Sequence, residues 1–151
     1  MEPDRILFRI RIFLVFFTAA LIISGATAIP LRWELSILQR IFGSGTYFGE
    51  MIPSLSEWLS IVHKALVDIS KEYPFLAYGF DWLAFGHFVI AISMLGALHD
   101  PIRNKWVIEY AMIACVLLVP YAMVMGGVRG IPFGWRIIDS MFGIVGLIPL
   151  F

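Results

Sequence analysis

Polar side chains are scarce in this sequence, and the few set inside apolar runs are the ones placed to do chemistry. The stretch "DWLAFGHFVIAISMLGALHDP", residues 81–101, carries His87 and His99 between Asp81 and Asp100. A histidine in such a run can ligate a haem or chlorin, relay a proton or hold a polar headgroup. If the run is one helix, His87 and His99 are roughly 18 Å apart along its axis and about 120° apart around it, so they cannot share a metal ion. His99, followed by Asp100, Pro101 and Arg103, is placed to end a helix and meet headgroups. His87, about 9 Å along from Asp81, is the candidate site. Its possible partners come from other segments: Tyr121, Arg129, Arg136 and Asp139. His87, Asp139 and Arg136 brought together would make a proton-relay site, a quinone or lipid headgroup site, or a structural polar network. A pigment held by His87 would need Met94, Met123, Met141 or another subunit for a second axial ligand. No cofactor is identified by these residues.

Other familiar chemistries lack their residues. There is no HExxH, CxxC or GxSxG pattern and no metal-ligand spacing. "GGVRGIPFG", residues 126–134, has glycines around an arginine but no Lys-Ser/Thr of a phosphate loop, and reads as a tight turn with Pro132 at a helix start. The single cysteine, Cys115, lies in "AMIACVLLV" and reads as a small buried apolar residue. Lys105 and Glu109 are an i,i+4 pair. Lys plus Arg and Asp plus Glu number 11 each, so net charge gives no reason to expect nucleic acid.

The elements that must position these residues follow from composition. The chain of 151 residues is 60% hydrophobic and 15% charged, against roughly 45–50% and about 25% for soluble domains. The expected class is all-α: an integral membrane protein with four transmembrane helices over about residues 8–29, 81–99, 103–125 and 133–150, forming one membrane domain. Each approaches the roughly 20 residues needed to cross a hydrocarbon core. The second and third are joined only by "HDPIRNK" and must form a hairpin, with Asp100 as N-cap and Pro101 as first helical residue. The first span also has the outline of a secretory signal ending at "ATA", but Glu2 and Asp4 in the would-be basic region favour an uncleaved anchor. Arg5, Arg9, Arg11, Arg103 and Lys105 share one side in this layout, which places both termini in the cytoplasm. Gly143 and Gly146, with Gly25 and Ala28, offer small faces for close helix approach, though their spacing is not GxxxG.

Residues 31–80 depart from a plain bundle. Leu55, Trp58, Leu59, Val62, Leu66 and Ile69 form one helical stripe. The opposite face carries Glu57, Ser60, Lys64, Asp68 and Lys71. Ser54 and Glu57 have capping-box spacing, and Lys64 with Asp68 is an i,i+4 pair. His63 sits at the edge of the stripe and reads as an interfacial residue. A shorter amphipathic piece, Glu34–Phe42, precedes it across the turn-rich connector "GSGTYFGEMIP". Neither piece is apolar enough to span, and with Trp33, Trp58, Tyr73, Phe75 and Tyr78 as anchors both are expected at the outer membrane surface.

The segments "YPFLAYGFDWLAFGHFVIAI", "HDPIRNKWVIEYAMIACV" and "RGIPFGWRIIDSMFG" resemble parts of uncharacterised small bacterial four-helix inner-membrane proteins. The resemblance runs from about Tyr73 onward and implies a bacterial inner-membrane location. It carries over no functional residue. The expectation is a small membrane component working in the lipid bilayer as a homo-oligomer or as an accessory subunit of a larger complex. The rival is an embedded enzyme or a quinone, lipid or pigment site in the outer leaflet around His87, Asp139 and Arg136, with Asp81, Tyr121 and Arg129 nearby.

Overall fold

The computed structural model describes residues 3–150, with side chains from residue 5 onward. Glu2 and the side chain of Asp4, which argue for an uncleaved anchor, lie outside the described residues, as does Phe151. The described chain is helical throughout. α1 spans Pro3–Ala28, α2 Leu31–Phe42, α3 Tyr47–Met51 and α4 Pro53–Glu72; a 3-10 turn, Pro74–Ala77, leads into α5, Tyr78–His99; α6 spans Lys105–Val128 and α7 Phe133–Leu147. Three stretches are long and apolar enough to cross a membrane: Arg5–Ala28, Pro74–His99 and Lys105–Val128. α7 is helical where the fourth span is expected, but its 15 residues extend only about 22 Å against a core ~30 Å thick. The chain divides into two compact units, one of Met1–Ile23 with His87–Phe151, the other Ser24–Gly86.

In the first unit, Leu14 of α1, Met94 and Ala97 of α5, Val107, Ala111 and Cys115 of α6, and Leu150 after α7 share one core. Its buried hydroxyls are satisfied within their own helices. Thr18 donates to the Leu14 carbonyl at 2.7 Å and Ser140 to the Arg136 carbonyl at 2.8 Å, the back-bonding that lets a hydroxyl sit in an apolar surround. α1 begins well before its apolar core because Arg5, Arg9 and Arg11 are good helix formers. Arg11 reaches the carbonyl of His99, donating at 3.0 Å to one of the orphan acceptors at the end of α5.

The α5–α6 connection corrects the expected cap. α6 starts at Lys105, not at Pro101, and its N-cap is Asn104 without a side-chain cap bond. Asp100 instead accepts from the Arg103 amide at 3.0 Å, closing a turn. The Asn104 amide donates back to the Gly96 and Asp100 carbonyls at 2.9 and 3.0 Å. Lys105 and Glu109 pair at 2.9 Å as their spacing predicts.

α6 and α7 form a close antiparallel hairpin. α6 ends in a Schellman motif: Gly130 has φ +71°, its amide donates to the Gly127 carbonyl at 3.2 Å, and the Ile131 amide donates to the Gly126 carbonyl at 2.8 Å. Further along, a β-carbon on Gly143 would collide with the Cys115 carbonyl, and one on Gly146 would press on the Cys115 sulfur and the Phe17 ring. The small residues picked out by sequence thus allow close backbone approach without a GxxxG match.

In the second unit, α2 and α4 pack side by side. Leu35 and Leu59 are buried between them, with Ser56. α4 begins with Pro53 in its first turn and Ile52 as N-cap, with no side-chain cap bond. The Ser54–Glu57 capping box therefore does not form, because Pro53 starts the helix two residues earlier than that box requires and leaves Ser54 inside it. Lys64 and Asp68, both exposed, do not close to ion-pair distance. The connector before α4 holds α3, whose N-cap Thr46 accepts from the Gly49 amide at 3.0 Å. Gly45, with φ +84°, turns the chain into it.

Candidate functional site

Arg136, in the first turn of α7, is turned onto the hairpin itself. Its Nε donates to the Ile131 carbonyl at 2.7 Å, its methylene stem lies where a side chain on Gly126 would stand, and its guanidinium where one on Gly127 would. Gly126 is thus the floor on which the arginine stem rests, and the guanidinium lies over Gly127 and holds the carbonyl of Ile131. Among the described residues no carboxylate lies within ion-pair distance of it. Asp139, one turn further on, is half-buried. Tyr121 is 67% exposed, and Arg129 is exposed as the C-cap of α6. His87 is half-buried in α5, and Asp81 lies on the exposed surface of the other unit. No group of three or more His, Cys, Asp and Glu residues arranged to hold a metal ion occurs among the described residues.

The second unit holds a site that the sequence reading missed. Three side-chain hydrogen bonds join the inner face of α2 and its following turn to α4: Ser36 with His63 at 3.1 Å, Gln39 with Ser60 at 3.3 Å and Ser44 with Ser56 at 3.2 Å. As one partner rises through 36, 39 and 44 the other falls through 63, 60 and 56, the pattern of an antiparallel pair held in one register. Ser60, expected on the solvent face, is half-buried and turned toward α2. The signal that could have found this seam is the row Ser56, Ser60, His63, Val67 and Ser70. Its spacing of four, three, four and three marks a second stripe beside the leucines.

Ser36 Oγ lies 2.8 Å from the Arg32 carbonyl and 3.1 Å from His63 Nε2, so its one proton can serve either contact. In the tautomer that accepts from Ser36 at Nε2, the ring carries its own proton on Nδ1.

Where the seam ends, α2, α4 and the residues entering α5 diverge around an open cleft of about 650 Å³. Arg32, Ser36, His63 and Ser70 line it with polar atoms, and Leu66, Val67, Ala77 and Phe80 with apolar ones. No carboxylate lines it. Clefts of roughly 300–1,000 Å³ with a mainly apolar lining and a few convergent polar groups are the usual form of small-molecule sites.

Comparison with protein-family models, with curated proteins and with solved structures finds no match to this chain. The fold and these sites therefore define the protein as an all-helical chain with three helices able to cross a membrane.

Proposed function

We propose that the chain is a four-span bacterial inner-membrane protein that works as a homo-oligomer or as an accessory subunit of a larger membrane complex, with both termini cytoplasmic. The observation that carries this reading is the surface of the first unit. Large apolar side chains stand exposed all around its helices, among them Val89 and Ile92 on α5, Ile113 and Val116 on α6, and Phe142 and Ile144 on α7. An apolar surface on every side is what a helix surrounded by lipid or by other membrane helices presents. The buried hydroxyls of Thr18 and Ser140, bonded back to their own helices, fit the same surroundings.

α7, too short to cross alone, becomes the fourth span by pairing closely with α6. In this reading α2 and α4 are amphipathic helices at the outer surface, with Trp33 and Tyr73, 69% and 45% exposed, as interfacial anchors. Arg5, Arg9 and Arg11 with Arg103 and Lys105 supply the cytoplasmic positive charge.

The test is mass determination of the purified 17.1 kDa chain in mild detergent, by light scattering and by native mass spectrometry. A stable multiple of the chain, or a second membrane protein held in fixed ratio, is the expected result. A monodisperse monomer without a co-purifying subunit would overturn the proposal.

A further inference from the structure

The geometry points to the cleft of the second unit as a binding site for a single-tailed anionic amphiphile, its carboxylate or phosphate at Arg32 and His63 and its hydrocarbon tail along Leu66 and Phe80. This goes beyond the proposed role in assembly and rests on a different part of the chain.

Three observations carry it. First, the cleft is amphipathic. Arg32 offers donors and Ser36, His63 and Ser70 further polar atoms, while Leu66 and Phe80 line it with apolar surface, so a ligand that satisfies both must itself be polar at one end and apolar along its length. Second, the charge is of one sign. The Arg32 guanidinium lines the cleft and no carboxylate does. Arg32 is in no ion pair among the described residues, so its planar set of five N–H donors remains available to a carboxylate or phosphate. Third, the imidazole is held in place. Its Nε2 is hydrogen-bonded to Ser36 at 3.1 Å, which fixes the ring in the cleft lining, and in the tautomer that accepts from Ser36 the Nδ1–H is a donor for an anion. Long-chain carboxylates and lysophosphatidates share this chemistry, and the experiment separates them.

The probe is 5-doxyl-stearic acid, titrated into the full-length protein in a neutral detergent and followed by the immobilised component of its electron spin resonance spectrum. Its methyl ester has the same tail and no charge. A spin-labelled lysophosphatidic acid forms the second arm, and inorganic phosphate as competitor the third. Saturable binding of the acid is expected, with the ester weaker by about tenfold or more, since a charge-assisted pair at Arg32 is lost. Arg32→Gln should weaken the acid toward the level of the ester, while Lys64→Gln, an exposed cation on α4 outside the cleft, should leave binding unchanged. Ser70→Leu, which fills the wall, should weaken acid and ester alike. Circular dichroism of each variant establishes that the helices are intact. Tighter binding of the lysophosphatidate than of the stearate identifies the headgroup as phosphate, and the reverse as carboxylate. Displacement by millimolar phosphate would show that the headgroup alone is recognised. Equal binding of acid and ester, an unaffected Arg32→Gln variant, or an equal loss in Lys64→Gln would each overturn the proposal.

Discussion

Gly143 of α7 lies so close to the Cys115 carbonyl of α6 that a β-carbon has no room between the two helices. The obstruction is backbone, which cannot swing aside as a flexible side chain would. Gly143→Ala should therefore push the hairpin apart and cost about 1–3 kcal/mol, the usual range for overpacking a close contact. Equilibrium unfolding in mixed detergent micelles reads the loss. An unchanged midpoint would mean that the helices are not in contact at this point.

Two other glycines have open space around them but differ in backbone. Gly130 has φ +71° and Gly134 has no such requirement. Gly130→Ala should destabilise by about 1 kcal/mol, because a side chain in the left-handed region is strained. Gly134→Ala, inside the first turn of α7, should instead stabilise by about 0.5 kcal/mol through helix propensity. The opposite signs, measured side by side in the same unfolding assay, are the test.

Arg136→Met keeps an unbranched stem over Gly126 while removing the donor to the Ile131 carbonyl. A loss of about 1 kcal/mol is expected, since the carbonyl is left without its charged partner. Amide hydrogen exchange should quicken at residues 130–133 more than at the middle of α6. Uniform exchange along the hairpin would show that the arginine does not secure the turn.

The Ser36–His63 rung can be measured by a double-mutant cycle with Ser36→Ala and His63→Phe. A coupling of about 0.5–1.5 kcal/mol is expected for a part-buried hydrogen bond. Additive single effects would mean that the two side chains contribute independently.

By contrast, the Lys105–Glu109 pair is wholly on the surface, with side chains 75% and 53% exposed. Solvent screens such a pair and each side chain loses freedom in forming it. Glu109→Gln should leave the unfolding midpoint unchanged within error at any salt concentration. A clear drop that salt abolishes would show that the pair is stronger than its exposure implies.

The helices were legible in the sequence because their causes are local. Unbroken apolar runs, Pro30 after α1, and Gly130 and Pro132 around the last turn place α1, α5, α6 and α7 to within a few residues. The apolar stripe of α4 was legible for the same reason. The caps were harder. Ser54–Glu57 and Asp100–Pro101 have the right residue types, but Pro53 starts α4 earlier and Asp100 closes a turn instead of a helix. The polar seam was hidden for a different reason. Ser60 viewed alone on a helical wheel belongs with the charged face, and only the presence of Gln39 on α2 turns it inward. The same limit applies to Arg136: spacing marks it as a candidate partner for Asp139, whereas its actual acceptor is a backbone carbonyl five residues earlier. Side chains that bond to backbone leave no mark in residue types.

The antiparallel rungs between α2 and α4 also set how that pair yields to force. Sliding one helix along the other stretches Ser36–His63, Gln39–Ser60 and Ser44–Ser56 at the same moment, so the pair resists shear with all three together. Prising the helices open from the Ser44 end loads the same bonds one at a time, and each is weak alone. The two helices are thus stiff along their length and compliant across it, like a zip fastener, and the cleft lies at the end that would open last.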